Sequence, residues 1–366
     1  MIGSMTKEPS DFAKKILVRA PDHVGDCVMA LPGLAHLEER LPGVILELLV
    51  QPALLPLLMT EARRPAPWPP STDLSATALV AMRLRHEGYV AALLLKPALR
   101  AALETLFIPI RLGFPSDHRR WLLTDVVNRA TPRHPNARVP FAKHGVVEQF
   151  ELAEQLAVRL GATPSLQGPG IPIIPVQPVH DAVARRLLEP LRARARGPCV
   201  GLHLSTHGGA LRSWAPAQFM HLGQQLQQHR RAALVLLGGP EDEAYLSNMR
   251  NMLSEPLIVV GGKSALLLLE YAALVRQLDA LVVADTGPMH LAAAAGARGV
   301  ALFASTDPAL TGPYAGQLQP IQGETPACWP CYARVCTHQL RCHQSITPER
   351  VMALLDPLLK HGVPHV

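Results

Sequence analysis

Aromatic residues are scarce in this chain: Phe, Trp and Tyr together make up 4% of its 366 residues. Proteins that grip single-stranded nucleic acid stack bases on aromatic rings set among Lys and Arg, and no such tract occurs here, which argues against a nucleic-acid partner. Charge is also thin, 17% against 48% apolar residues, a balance that excludes wholesale disorder. Long apolar runs are missing as well. None reaches the roughly 18 to 20 residues a membrane-spanning helix needs, and the N-terminal MIGSMTKEPSDFAKK lacks a signal-peptide core, so the expected location is the cytosol. Cysteines number six, and a cytosolic chain is not expected to pair them as disulfides.

What is abundant is Ala, Leu and short β-branched runs, the signature of buried parallel strands under small-residue helices. The length allows two domains. The net charge of +6 and pI near 9.1 describe a surface that tolerates anionic partners such as sugar phosphates or acidic lipid head groups.

Strands are expected at Lys15 to Arg19, Ile45 to Val50, Ala91 to Leu95 and near Ile110 to Phe114, with helical spacing between them from Cys27 to Glu39 onward. The segment GATPSLQGPGIPIIPVQP can sustain neither helix nor central strand and reads as a linker. A second βα series follows, with strands at Cys199 to Leu204, Ala233 to Leu237, Leu257 to Val260, Ala280 to Val283 and Gly299 to Phe303. A last helix starts at Thr347, Pro348 and Glu349. The expected division is a first domain over 1–165, a linker over 166–180, a second domain over 181–345 and a C-terminal helix over 346–366. The fold class is α/β, two Rossmann-like doubly wound domains facing across a cleft.

The densest signal is VVADTGPMHLAAAAG, an apolar strand that stops at Asp285, Thr286 and Gly287 before a small-residue helix. A helix start above a strand end presents unpaired N–H groups and a positive dipole end, a site for phosphate; His290 lies one turn on and can point to the same place. The bland reading of Asp-Thr-Gly is a turn with a cap. The loop HLSTHGGALRSW adds the hydroxyl of Thr206 and the guanidinium of Arg212, which can bond two phosphate oxygens at once, although a solvated Arg beside a core Trp214 is the simpler account of that loop alone. After the next strand, Glu241 is placed to accept ribose hydroxyls, while Asp242 and Glu243 are better read as helix-start acids. The first loop, APDHVGD, lacks the GxGxxG spacing of a dinucleotide site. Its Asp26 is either a helix cap or the carboxylate that takes the proton of an acceptor hydroxyl, and His23 is either an ordinary loop residue or part of the acceptor side.

These blocks, in order, resemble glycosyltransferase family 9, the bacterial lipopolysaccharide heptosyltransferases, and most nearly the heptosyltransferase II group. The resemblance runs through ILVRAPDHVGDCVMALPGLAHLEERLPG, IRLGFPSDHRRWLLTD, LRSWAPAQF, GGPEDE, GKSALLLLEYAALV, ADTGPMHLAAAAG and ALFASTDPALTGPY. It implies a GT-B fold and a metal-independent, inverting transfer of heptose from ADP-heptose to the lipid A inner core, with no cofactor. It implies Asp26 as general base, with Thr206, Arg212, Glu241, Asp285, Thr286, Gly287 and His290 around the donor. It also places Arg119 and Arg120 of IRLGFPSDHRRW, with His23, on the acceptor side. A transferase of the same build with a protein or other glycan as acceptor, and a non-catalytic nucleotide-sugar-binding subunit, remain open beside it. Arg83, Arg85, Arg100, Arg119 and Arg120 form either a solvated basic face or a peripheral contact with the inner membrane. Four thiols in CWPCYARVCTHQLRC, Cys328, Cys331, Cys336 and Cys342, either pack a loop in reduced form or close a structural metal site.

Overall fold

The computed structural model describes residues 14–67, 69–129, 143–204, 213–314, 316–331, 333 and 335–360. Two six-stranded sheets carry the architecture. The first contains β1 (Lys15–Arg19), β2 (Ile45–Leu49), β3 (Arg63–Pro65), β4 (Tyr89–Leu94), β5 (Ile110–Gly113) and β6 (Asp125–Val126), in the order β3-β2-β1-β4-β5-β6. The second contains β7 (Cys199–His203), β8 (Ala233–Leu237), β9 (Leu257–Val260), β10 (Ala280–Ala284), β11 (Arg298–Phe303) and β12 (Gln317–Gln322), in the order β12-β11-β10-β7-β8-β9. Every neighbouring pair is parallel. This is the doubly wound, two-sheet GT-B arrangement, with a strand-order reversal between β1 and β4 in one sheet and between β7 and β10 in the other.

Three edge strands, β3, β6 and β12, escape a sequence reading. They are short or polar, and Pro65 and Pro320 sit in two of them, as only an edge permits. The central strands read clearly because helices cover both faces: every residue of β7, β8 and β10 is buried.

Alternation along β1 separates two layers. Ile16 and Val18 point to one face, where the helices Val24–Arg40 and Gly145–Arg159 contribute Leu34, Leu37, Leu152 and Leu156. Leu17 points to the other, against Val80 and Leu84 of the helix Leu74–Leu84 and Ala101 and Ala102 of the helix Leu99–Glu104. The first of these apolar clusters runs on into the second half of the chain through Met289, Leu291 and Tyr271. Residues 162–177 form neither helix nor strand. The C-terminal helix, Pro348–Lys360, closes the second sheet by burying Val351 and Leu355 against Val200 and Leu202.

Candidate active site

A cleft of about 880 Å³ lies where the two sheets present the carboxyl ends of their strands to each other. Its lining follows the switch points: Asp22 to Asp26 after β1, Leu95 and Pro97 after β4, His203 at the end of β7, Gly238 to Glu241 after β8, and Asp285 to Gly287 after β10. Loops following strands on either side of an order reversal diverge and leave a crevice, so the location is a consequence of the topology.

Two helix starts meet in this cleft. Asp26 sits in the first turn of Val24–Arg40, whose N-cap position, His23, makes no side-chain cap bond. Opposite, the helix Gly287–Ala294 begins at Thr286, whose hydroxyl donates back to the Ala284 carbonyl at 3.2 Å rather than capping the helix. Glycine makes the approach possible. A Cβ on Gly25 would lie 2.7 Å from the His290 ring, and one on Gly287 would lie 2.9 Å from Val24 Cβ. Two positive helix ends therefore converge on the same volume, a setting that favours an anion between them.

The surrounding polar groups are held in place. Thr306 Oγ1 donates to Asp285 Oδ2 at 2.6 Å. The Gln149 amide donates to the Asp26 carbonyl at 3.1 Å, tying the first helix start to the helix Gly145–Arg159. Arg19, fully buried at the end of β1, donates to Glu104 at 2.6 Å and to Asp22 Oδ1 at 3.0 Å, and Lys96 forms an ion pair with the other Asp22 oxygen. Asp22 thus fixes the loop that leads to Asp26. Arg129 and Glu148 pair at 3.1 Å at the rim, with the guanidinium stacked 4.4 Å above the Phe114 ring.

The two buried histidines of the cleft, His203 and His290, are neutral at ordinary pH. Burial, with a smaller contribution from His144, lowers the pKa of His290 to about 3, and burial lowers that of His203 to about 4 against an opposing pull from Asp242. His203 Nδ1 and the Tyr271 hydroxyl are buried in the lining with no hydrogen-bond partner among the described residues, their rings edge to face at 5.3 Å. Unpaired buried polar atoms at a cleft wall are groups a bound ligand can satisfy.

The expected site residues divide accordingly. His23, Asp26, Glu241, Asp285, Thr286, Gly287 and His290 all line the cleft. Thr206 and Arg212 lie outside the described residues. Arg119, expected on the acceptor side, lies outside the cleft lining. It is completely buried, and its guanidinium donates to the carbonyls of Phe114 at 2.9 Å and Lys96 at 2.5 Å, with longer bonds to Ala98 and Leu94. Arg120 is exposed and outside the cleft lining. Asp242 and Glu243 stand at the start of the helix Glu243–Met252, but neither side chain caps it: Asp242 accepts from Gly239 N at 2.8 Å and Glu243 from Lys263 N, in a neighbouring turn, at 2.7 Å. His203, Tyr271, Lys96, Arg129 and Thr306 were not anticipated. His203, Tyr271 and Thr306 lie inside sequence blocks already singled out, HLSTHGGALRSW, GKSALLLLEYAALV and ALFASTDPALTGPY, but nothing in those blocks marks these positions; the fold brings them and Arg129 to the cleft lining, while Lys96 acts behind it through Asp22.

The cysteines are all free, and Cys336 Sγ accepts from the backbone N–H groups of His338 and Leu340 at 3.3 Å each. Among the described residues, no three His, Cys, Asp or Glu side chains are arranged to hold a metal ion.

A family model described as glycosyltransferase family 9 (heptosyltransferase) matches residues 78–341. The chain belongs to glycosyltransferase family 9. It is 26% identical to lipooligosaccharide heptosyltransferase 2 of Haemophilus influenzae, the match covering 94% of this chain and 99% of that one. Lipopolysaccharide heptosyltransferase 2 of Salmonella typhimurium is 27% identical over 94% of this chain and 98% of its own. The solved structure of E. coli ADP-heptose LPS heptosyltransferase II superposes with a TM-score of 0.75 at 24% identity, covering 95% of this chain and 99% of that chain. The family 9 protein is a glycosyltransferase of the heptosyltransferase type, and its fold is that of the E. coli enzyme.

Proposed function

We propose that this family 9 enzyme moves L-glycero-D-manno-heptose from ADP-heptose to the lipopolysaccharide inner core, with inversion and without a metal. The observation that carries the reading is the convergence of the Asp26 turn and the Gly287 helix start on one cleft. In this reading the diphosphate lies against the N-terminus of Gly287–Ala294, with Thr286 and His290 beside it and Asp285 oriented by Thr306. Thr206 and Arg212 are assigned to the same diphosphate by the family resemblance. Glu241 takes the ribose, and the apolar lobe of Val260, Leu266 and Leu268 takes the base.

The acceptor enters from the first-domain side, past His23. Its hydroxyl gives its proton to the Asp26 carboxylate as the oxygen attacks the anomeric carbon. The bond from that carbon to the phosphate oxygen breaks with its electron pair on departing ADP, whose charge the two helix ends stabilise. One displacement from the opposite face inverts the configuration. The names of the Haemophilus and Salmonella relatives support the second heptose as the one added.

ADP release from ADP-heptose, measured in EDTA with inner-core acceptors carrying no heptose or one, tests this. Turnover on the one-heptose acceptor is expected, and Asp26→Asn is expected to lower kcat by about 10²- to 10⁴-fold with the donor KM little changed. Donor binding without turnover on either acceptor points to another acceptor or to a non-catalytic subunit. Loss of activity in EDTA overturns the metal-free mechanism.

A further inference from the structure

One amide in the first-domain wall of the cleft is bonded at one end only. Gln149, near the start of the helix Gly145–Arg159, lines the cleft and is 6% exposed. Its Nε2 donates to the Asp26 carbonyl at 3.1 Å. Because a carbonyl oxygen only accepts, this bond assigns the NH2 end to Asp26 and makes the other end Oε1. Among the described residues Oε1 is buried with no hydrogen-bond partner. A buried amide oxygen left alone is costly, and in a cleft lining a ligand donor is what meets it.

Helix packing sets where this oxygen stands. Gly33 of the helix Val24–Arg40 lies against the backbone of Gln149: a Cβ there would be 3.1 Å from the Gln149 carbonyl oxygen and 3.3 Å from Phe150 Cα. The two helices are therefore close enough for the Gln149 side chain to reach the first turn of its neighbour. Since both ends belong to one planar amide, Oε1 is held beside the Asp26 turn.

The rest of the wall narrows what fits there. Asp22 is taken up by Arg19 and Lys96, and Glu148 by Arg129 and by the Lys143 backbone N–H at 3.3 Å. Met29, Leu95, Pro97 and Phe114 make the adjoining lining apolar. An apolar surface with two neighbouring acceptors, the Asp26 carboxylate and Gln149 Oε1, suits a ligand that offers C–H groups to one and a pair of donors to the other. A sugar bearing adjacent hydroxyls has both. A carboxylate or phosphate has no proton to give and would be repelled by Asp26.

We infer that Gln149 selects an acceptor sugar by a hydroxyl adjacent to the one that attacks, Oε1 accepting from that neighbour while Asp26 takes the proton of the nucleophile. The inference rests on the transferase reading above and adds a requirement to it, a vicinal pair of hydroxyls on the acceptor. The neighbouring hydroxyl keeps its own O–H bond throughout. Its bond to Oε1 turns the attacking oxygen towards Asp26 and the anomeric carbon. Through its NH2 end the same amide ties the recognising oxygen to the turn that carries the base.

Steady-state transfer by the full chain to the inner-core acceptor, and to analogues deoxygenated at each hydroxyl next to the attacked one, tests this. The parent enzyme is expected to lose about 10- to 100-fold in kcat/KM on one analogue. Gln149→Met should fall by a similar factor on the full acceptor and then use the two with kcat/KM within about threefold of each other. Its affinity for ADP, which the second domain binds in this reading, should be unchanged. A variant that loses the same factor on both acceptors, and so keeps the parent's discrimination, reduces Gln149 to a structural tie and overturns the inference. A parent enzyme that uses every deoxygenated analogue as well as the full acceptor overturns it without recourse to any variant. No transfer to any inner-core acceptor defeats the transferase reading and this inference with it, whereas transfer without discrimination defeats this inference alone.

Discussion

Arg119 and Arg120 are adjacent in sequence, yet they occupy opposite environments. The Arg119 guanidinium is saturated by carbonyls that end β4 and follow β5, so it works as an internal clamp on loops that would otherwise bury unsatisfied acceptors. Burial, with Arg129 adding to it, lowers its pKa to about 10, which leaves it cationic at neutral pH. Arg119→Met should destabilise the fold by about 3 kcal/mol, seen as a lower urea midpoint, with the acceptor KM unchanged under native conditions. A raised acceptor KM without loss of stability would return Arg119 to the acceptor side. His203 makes the complementary case. Its unpaired Nδ1 in the cleft wall should find a partner in bound donor, so His203→Phe is expected to raise the donor KM roughly 5- to 30-fold while leaving kcat within about twofold.

At the scale of elements, the decisive contact is between two helix starts. Gly25 and Gly287 are explained by what stands opposite them, the His290 ring and Val24, rather than by backbone torsion. Gly25→Ala should push the His290 ring or the Asp26 turn out of place and reduce kcat/KM by about 10²-fold, since misplacement on the order of 1 Å is costly at a reacting centre. Gly43, with φ of +81° and open space around its Cβ position, is the internal contrast. Its substitution by Ala should cost stability and leave kinetics alone. The VGD and DTG motifs were legible in the sequence as turns before helices. That each glycine exists to admit the other domain was not, because a chain read in one dimension does not say which helix starts face each other.

For the whole molecule, stability and ligand binding share the cleft. His290 and His203 are neutral in the folded protein down to pKa values of about 3 and about 4, whereas in the unfolded chain they titrate near 6.5. The unfolded state therefore binds protons first as pH falls. Their stabilising effect is intact above pH 6.5 and is lost as pH falls through 6.5 towards 4, by about 1.4 kcal/mol per pH unit for each histidine. Urea unfolding between pH 7 and 4.5 should show this slope, and His203→Gln should remove about half of the histidine contribution. A stability flat across that range would mean that the two rings reach water. ADP at about 100 times its Kd should raise the unfolding free energy by about 2.7 kcal/mol.

The sequence alone was sufficient for the central strands, the family, and the loops that line the cleft, because fully buried parallel strands are continuous apolar runs and strand-to-helix turns announce themselves through Gly, Asp and Thr. Edge strands, the burial of Arg119, the Asp22 and Arg19 network, and the pairing of His203 with Tyr271 were decided by tertiary structure. Each depends on groups brought together over tens of residues, and burial alone determines whether a polar side chain meets carbonyls, solvent or a ligand. The same holds for the apolar arc of the helix Leu74–Leu84. Only the packing of Val80 and Leu84 beneath them shows that Leu79 and Met82 face outward.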